Sequence, residues 1–433
     1  MGQPIRSFRC QAFFPGSRHL RPSGFRSQIL LGQKFAPNSL HLLLNLIKLE
    51  SMSTILTGKP QLNRFVNRRL ILDQIRRNGT TSRADLAKQT EIRPPTVSAV
   101  VKELIDEGLI EERGIGRTSG GRAPRVIVLR RNKPCTLGFE ISETRILAGL
   151  CDLAGNVCDQ IELPSETVSP ETITPETAVD RMHTLGEQLM NSAGMKWEKL
   201  HGVGVAVQGH VNGAEGIVRW SHRFNWRNVP LKKMCEERWQ VATDVINDCL
   251  AGGLAAHFFD TESTVENLVF VYLRFRGTSH GLVGLGSGII VNGKPYHGEF
   301  GAAGEITTMV NHPLVYAKEM GGKSFAGLAE FSTALEQDDP AAMAALYRVG
   351  NELSTLALHI VNLLEPGVLM IGSDAPLLRD RLLIQLQQVL DQQGLAYEAG
   401  KTRLLASTLG DSCLMRGAIV PTLQRVFRIP QWS

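Results

Sequence analysis

The chain has 433 residues, enough for two or three domains, and 43% hydrophobic content supports full cores. No apolar run reaches the roughly 18–20 residues that span a bilayer, "LHLLLNLIKL" at 40–49 is too short, and seven scattered cysteines without a CxxC pair point to reduced thiols and a cytoplasmic protein. The net charge of +5 hides an asymmetry, since residues 1–133 carry 24 Lys and Arg against 9 Asp and Glu, while residues 134–433 carry 23 against 33. A basic front of this kind suits a polyanion such as nucleic acid, joined to something of different purpose.

Residues 1–51 hold seven Lys and Arg and a single acid, Glu50, with no hydrophobic period. They read as an over-long start or a disordered basic arm, in preference to a targeting peptide. Met52 offers a natural beginning, and the segment 1–60 is set apart from the domains that follow.

Residues 63–78 read as a helix with Val66, Leu70, Ile71 and Ile75 on one side and Asn78-Gly79 at its end. A second helix starts at "TSRADLAKQ", where Ser82 is a good N-cap and Asp85 completes a capping-box pattern. In a third helix Val97, Val100, Val101, Leu104 and Ile105 form a stripe, and Gly108 stops it. Two short strands, "LIEERGIG" and "PRVIVLRR", then flank "RTSGGRAP". Three helices followed by a β-wing predict a winged helix-turn-helix over 61–133. The stripe leaves Pro95, Thr96, Ser98, Ala99 and Lys102 outward on the half of the third helix that enters the major groove in this class. With Ser82, Arg93 and the wing residues Arg117 and Arg122, these form the candidate DNA contacts, and Gly120-Gly121 lets the wing tip turn sharply.

"NKPCT" at 132–136 reads as a linker. Strands are predicted near 136–142, 145–151 and 157–163, a helix near 175–193, the strand "HGVGVAVQG", and the strand "QVATDVIND" running into the helix "CLAGGLAAHFF". "NLVFVYLRF" and "GLVGLGSGIIVNGK" suggest a hairpin turning at Asn292-Gly293. A long helix near 340–364, the strand "GVLMIG", a helix near 376–394, a strand near 402–406 and a helix near 413–427 complete the pattern. Meanders alternating with βα units, twice over, predict a two-lobed α/β architecture, with lobes at 134–246 and 247–433 and the last helix returning to the first lobe.

Over residues 63–433 the chain resembles the ROK family (repressors, open reading frames, kinases), in the branch with an N-terminal winged helix like the Mlc and NagC repressors. The resemblance rests on "SGGRAPRVIVL", "GVGVAVQG", "FNWRNVPL", "VINDCLAGGLAAHF", "GLGSGIIVNGKPYHGEFGAAGE", "GLAEFS" and "LGDSCLMRGA". It implies an actin-like (ribonuclease H-like) ATPase-type fold with a sugar held between lobes. It also implies sugar contacts at Asn247, Asp248, Glu305 and Glu330, with Asp248 in the place of the kinases' base.

The departures bear most on function. The family's phosphate loop, Asp-x-Gly-Gly-Thr, is replaced here by Glu140, Ile141, Ser142, Glu143 and Thr144, so both glycines are lost and a carboxylate stands near the phosphate position. The family's zinc site lacks its residues too: Thr308 and Leu328 stand at ligand positions, residues 309–330 hold no cysteine, and His312 is a single histidine. The family asparagine before "W-x-x-V-P-L" has three candidate replacements in His222, Arg223 and Asn225.

The expectation is therefore a cytoplasmic, DNA-binding transcriptional regulator, a repressor of carbohydrate-metabolism genes. It would sense a sugar or sugar phosphate without turnover, cofactor or metal, as a homodimer or a dimer of dimers. The alternatives are a regulator whose C-terminal domain binds a protein partner, or an active sugar kinase.

Overall fold

The computed structural model describes residues 60–115, 125–131, 133–164, 173–262, 264–277, 281–306, 310–321, 323–393 and 402–427. The helices α1 (Pro60–Asn78), α2 (Arg83–Thr90) and α3 (Pro94–Asp106) precede an antiparallel wing of β1 (Ile110–Ile115) and β2 (Arg125–Leu129). The α3 stripe is buried at Val97, Val100, Val101 and Leu104. In α1 the burial differs from the expected stripe, because Leu70 is half-buried and Leu72 is buried beside Val66, Ile71 and Ile75. The reason is that α1 has neighbours on two sides, so it buries a wider arc than one stripe. On one side Arg64 donates to Glu103 of α3 at 2.6 Å and Arg68 pairs with Glu107. On the other, the Arg76 guanidinium lies 4.3 Å from the Phe258 ring and 5.5 Å from the Phe427 ring.

A first mixed sheet follows. It draws on β3 (Thr136–Ile141), β4 (Arg145–Cys151) and β5 (Val157–Pro164), then, past α4 (Pro175–Ser192), on β6 (Val203–Val207). A small sheet of β7 (His210–Asn212), β8 (Ile217–Ser221) and β9 (Trp226–Val229) intervenes before α5 (Leu231–Trp239) and β10 (Thr243–Asn247). The first sheet has the order β5-β4-β3-β6-β10, with β6 and β10 parallel to β3. Its apolar face, led by Leu137, Phe139, Val203 and Val205, packs on α4 and α5.

Asn247 ends β10 and at once caps α6 (Asp248–Ala255), which continues as a π-helical turn, Ala256–Asp260. The second sheet contains β11 (Leu268–Arg274), β12 (Gly284–Val291) and β13 (Lys294–Pro295). The helices α7 (Pro313–Gly321), α8 (Leu328–Glu336) and α9 (Pro340–Leu364) lead to β14 (Val368–Ser373), α10 (Pro376–Gln393) and β15 (Arg403–Ala406). The order β13-β12-β11-β14-β15 repeats that of the first sheet strand for strand.

Two expectations are corrected here. Asn292-Gly293, both at positive φ, turns β12 into β13, whereas residues 275–283 connect β11 to β12. The two-residue β13 is too short to leave a pattern in the sequence. The final helix is two, α11 (Cys413–Ala418) and α12 (Val420–Phe427), parted at Ile419. Pro421 has no N–H to carry the ladder through that point.

The helices α6 and α11 cross between the two sheets, so closely that a Cβ on Gly417 would lie 1.8 Å from the Ala251 carbonyl oxygen. Behind them, α12 packs on β6 and β10 of the first sheet. The winged-helix core is continuous with this joint, since Leu72, Ile75 and Leu86 share one apolar cluster with Leu147, Met415, Ile419, Leu423 and Phe427.

Candidate functional site

On the N-terminal region, Arg93, Pro95, Ser98, Ala99 and Lys102 are exposed along one side of α3, and Thr96 beside them is half-buried. Pro94 and Pro95 open this helix, at positions whose N–H groups have no intrahelical partner in any helix. The ion pairs from Arg64 to Glu103 and from Arg68 to Glu107 tie α1 to α3 and to the residue that follows it. Ser82 is corrected. Its side chain is buried, its hydroxyl accepts from Asp85 N at 3.2 Å and donates to Asp85 Oδ2 at 2.7 Å, and it acts as the cap of α2 instead of a DNA-facing group. Arg117 and Arg122 lie outside the described residues.

A cavity of about 460 Å³ opens between the two sheets at the C-terminal ends of β3, β6, β10 and β11. This is the edge at which open α/β sheets place ligands. Its floor is the β10–α6 junction. Asn247 Oδ1 accepts from Leu250 N at 2.9 Å and its amide donates to Gly209 O at 3.0 Å, so this side chain shapes the junction and caps the helix. Asp248 is buried, accepts from Cys249 N at 2.9 Å, and turns Oδ2 toward Arg274 at 3.3 Å. Glu305 stands on the wall with Oε1 3.6 Å from His210 Nε2. Desolvation and the charge of Asp248 push the Glu305 carboxyl above the usual range, against the pull of His210. Trp220 meets His210 edge-on at a centroid distance of 5.7 Å and is 41% exposed, and Tyr296 is also exposed on the cavity wall. Carboxylate acceptors below and an aromatic face above are the groups that recognise a polyhydroxylated ring.

The β3–β4 turn on the same cavity is closed to phosphate. Glu143 N donates to Gln208 Oε1 at 3.1 Å, Ser142 N to Arg145 O at 2.9 Å, and Arg145 N to Ser142 Oγ at 3.3 Å. The N–H groups of Ser142 and Glu143, at positions where a phosphate loop aims such groups at its ligand, are here donated within the protein. The acids are likewise engaged. Glu140, buried at the end of β3, lies 3.2 Å from Arg145 and 3.9 Å from Arg274, and burial pushes it up while the two arginines pull it down. Glu143 Oε2 lies 3.3 Å from Arg223. Arg145 also donates to Asp411 O at 2.6 Å, a second link between the sheets besides Glu140–Arg274. These residues do not fit a metal-bound nucleotide phosphate.

The cavity brings together Asn247, Asp248 and Glu305 from the sequence-derived set. It does not include Glu330, which is corrected: this exposed side chain reaches back to accept from Ala326 N at 2.6 Å at the start of α8. A glutamate in a first helical turn is drawn to the free backbone N–H groups there. His312 is buried in the second lobe, with Nε2 3.0 Å from Phe275 O and Nδ1 accepting from Leu314 N at 3.3 Å, and Thr308 lies outside the described residues. Of the three candidates for the family asparagine, His222 and Arg223 line the cavity. Gln208, His210, Trp220, Ser221 and Arg274 line it as well and had no signal in the sequence beyond their proximity to matched stretches.

Residues 136–314 match the sequence model of the ROK family, and residues 66–111 match that of winged helix-turn-helix DNA-binding domains. The xylose repressor of Caldicellulosiruptor bescii is 22% identical over 410 residues, which are 87% of this chain and all of that one. The xylose repressor of Bacillus subtilis is 30% identical over 244 residues, 56% of this chain and 60% of its own. Among solved structures, a ROK family transcriptional regulator, a homologue of the E. coli MLC protein, superposes with a TM-score of 0.65 at 20% identity, covering 84% of this chain and 98% of that one.

Proposed function

We propose that this chain, which joins a winged helix-turn-helix to a ROK family domain, is a repressor of carbohydrate-metabolism genes that leaves its operator when a sugar fills the cavity. One observation carries the reading. The polyol-type cavity offers the half-exposed carboxylate of Glu305 beside the Asn247-Asp248 junction, while Ser142 and Glu143 of the phosphate turn donate their N–H groups within the protein. The site thus binds a sugar without transferring phosphate to it. The names of the two relatives make xylose the first sugar to try.

Coupling has a direct path. Helix α6 starts at the cavity with Asp248, and its π-turn ends under α1, where Arg76 lies over Phe258. The same guanidinium lies over Phe427 of α12, which packs on the first sheet. A sugar that draws the two sheets together moves one ring against the other beneath the DNA-binding helices. Ligand acts by preferring one arrangement, and each tenfold of preference corresponds to about 1.4 kcal/mol. Working in the cytoplasm as a dimer, the protein would read two half-sites one helical turn apart or a multiple of that.

The test is fluorescence anisotropy on an operator duplex selected from a random pool with the purified protein. Addition of D-xylose, D-glucose or N-acetylglucosamine is expected to release the duplex with at least one of them, and ATP–Mg²⁺ is expected to yield no phosphorylated sugar. Sugar-dependent ATP consumption would sink the reading. Lys102→Ala is expected to weaken the complex and to lower its salt slope by about one unit, and an unchanged slope would move the DNA contact away from α3.

A further inference from the structure

Glu143 stands in the turn that closes the phosphate site, and its side chain is only 6% exposed. Oε2 is held by Arg223, but Oε1 is buried with no hydrogen-bond partner. Ser221, 1% exposed, has a buried Oγ that is also without a partner. Both residues line the cavity. Of the seven buried side-chain atoms without a partner among the described residues, these two belong to residues on the cavity wall, where a ligand can satisfy them. Such a ligand must bring a donor to the carboxylate and a group that either donates to or accepts from the hydroxyl. A sugar hydroxyl does both.

We propose that Glu143 and Ser221 form a hydroxyl-binding wall for an uncharged sugar, and that Glu143 excludes the phosphorylated form of that sugar. This rests on the sugar-sensing reading and names its ligand class. The charges on the cavity argue the same way. The acids are Glu143, Asp248 and Glu305; the arginines are both committed to acids already, Arg223 to Glu143 and Arg274 to Asp248; and of the histidines His210, His222 and His297, His210 stands beside Glu305 and burial favours the neutral form of His297. A phosphate ester carries about −1.5 to −2 charges at neutral pH. It would meet the acids with no uncommitted guanidinium among these pairs, while a neutral hydroxyl meets an acceptor. Burial, together with the charge of Asp248, pushes Glu143 above the usual carboxylate range against the pull of Arg223 and Arg274. Burial thus makes the carboxylate form of Glu143 costly, and a hydrogen bond donated by a sugar hydroxyl offsets that cost.

The experiment is thermal unfolding and calorimetric titration of the full chain with D-xylose, D-glucose, N-acetylglucosamine and the phosphate ester of each, on the native protein, Glu143→Gln and Ser221→Ala. At least one free sugar is expected to bind the native protein and its ester is not. Glu143→Gln is expected to weaken sugar binding about tenfold, to let the ester in, and to raise the ligand-free midpoint by about 1–2 °C at neutral pH. Ser221→Ala is expected to lose about threefold and to keep the preference for the free sugar. An ester that binds the native protein as tightly as its free sugar would overturn the wall and leave sugar sensing standing. Glu143→Gln binding both forms like the native protein would overturn it too. If no sugar or ester binds any of the three proteins, sensing and the wall fall together.

Discussion

The two sheets share one strand order, and the tips of their first strands carry opposite charges. In the first sheet β3 ends near Glu140, and the residue after β6, Gln208, accepts the backbone N–H of Glu143. In the second, β11 ends at Arg274, and the residue after β14, Asp374, accepts from Phe275 N at 2.8 Å and Arg276 N at 3.0 Å. Each lobe must satisfy N–H groups released where its first strand stops, and each does so from the same place in the topology. The acceptor is a neutral amide where the neighbours are acids and a carboxylate where the neighbours are arginines. Across the cleft Glu140 and Arg274 face one another at 3.9 Å, so the charge difference between the lobes is also what joins them.

The most severe way to break this relation is Arg274→Met. It leaves Glu140 and Asp248 buried with one counter-charge removed, a class of change that costs about 3–5 kcal/mol. The unfolding midpoint should fall by about 5 °C, and adding Glu140→Gln should recover part of the loss. A single variant as stable as the native protein would show that the Glu140–Arg274 pair adds nothing to the joint, which packing and the Arg145–Asp411 contact would then hold. Asp374→Asn keeps one of two acceptor oxygens and should cost about 1–3 kcal/mol. The reciprocal Gln208→Glu keeps its acceptor but adds an acid beside Glu143, and it should also destabilise. If Gln208→Glu is neutral in denaturant unfolding, the neighbours' charge does not dictate the acceptor.

Arg76→Ala removes a guanidinium that lies over both the Phe258 and the Phe427 ring. Cation–π contacts are worth about 0.5–2 kcal/mol, so folding should change little while sugar-driven release of DNA is blunted several-fold. An anisotropy titration that shows full release would move the coupling elsewhere.

The smallest expected effect is on pH. Glu143 faces Arg223, Arg274 and Asp248, and its carboxyl is raised by burial. A carboxylate raised in the folded state contributes stability below its ordinary value that is lost as pH rises through the raised one. Glu143→Gln should therefore exceed the native protein in midpoint at neutral pH, and the gap should shrink as pH falls into the ordinary glutamate range. A gap that widens on acidification would mean that Arg223 outweighs burial.

The elements were legible wherever period and punctuation agree. The α3 stripe, the Ser82 cap and the first meander come from local pattern, and the junction at Asn247-Asp248 follows from a strand that runs straight into a helix. What was illegible is pairing over distance. Arg145, Arg223 and Arg274 lie on separate segments, and nothing local says that all three converge on the acids of one cleft. Glu330 misled for the opposite reason, since a matched motif outweighed the nearer fact that an acid in a first helical turn has backbone N–H groups to satisfy. Leu72 was hidden because the second neighbour of α1 is 180 and more residues away in sequence, at Phe258 and Phe427.

Helix α6 is anchored at one end in the cavity and at the other beneath Arg76. A shared strut has no preferred direction of signalling. On the proposed reading, whatever factor a sugar takes from operator affinity the operator takes from sugar affinity. The half-saturating sugar concentration is then not fixed by the cavity alone. It rises with the number of operators held, so a cell carrying more copies of the target promoter needs more sugar to release the last of them.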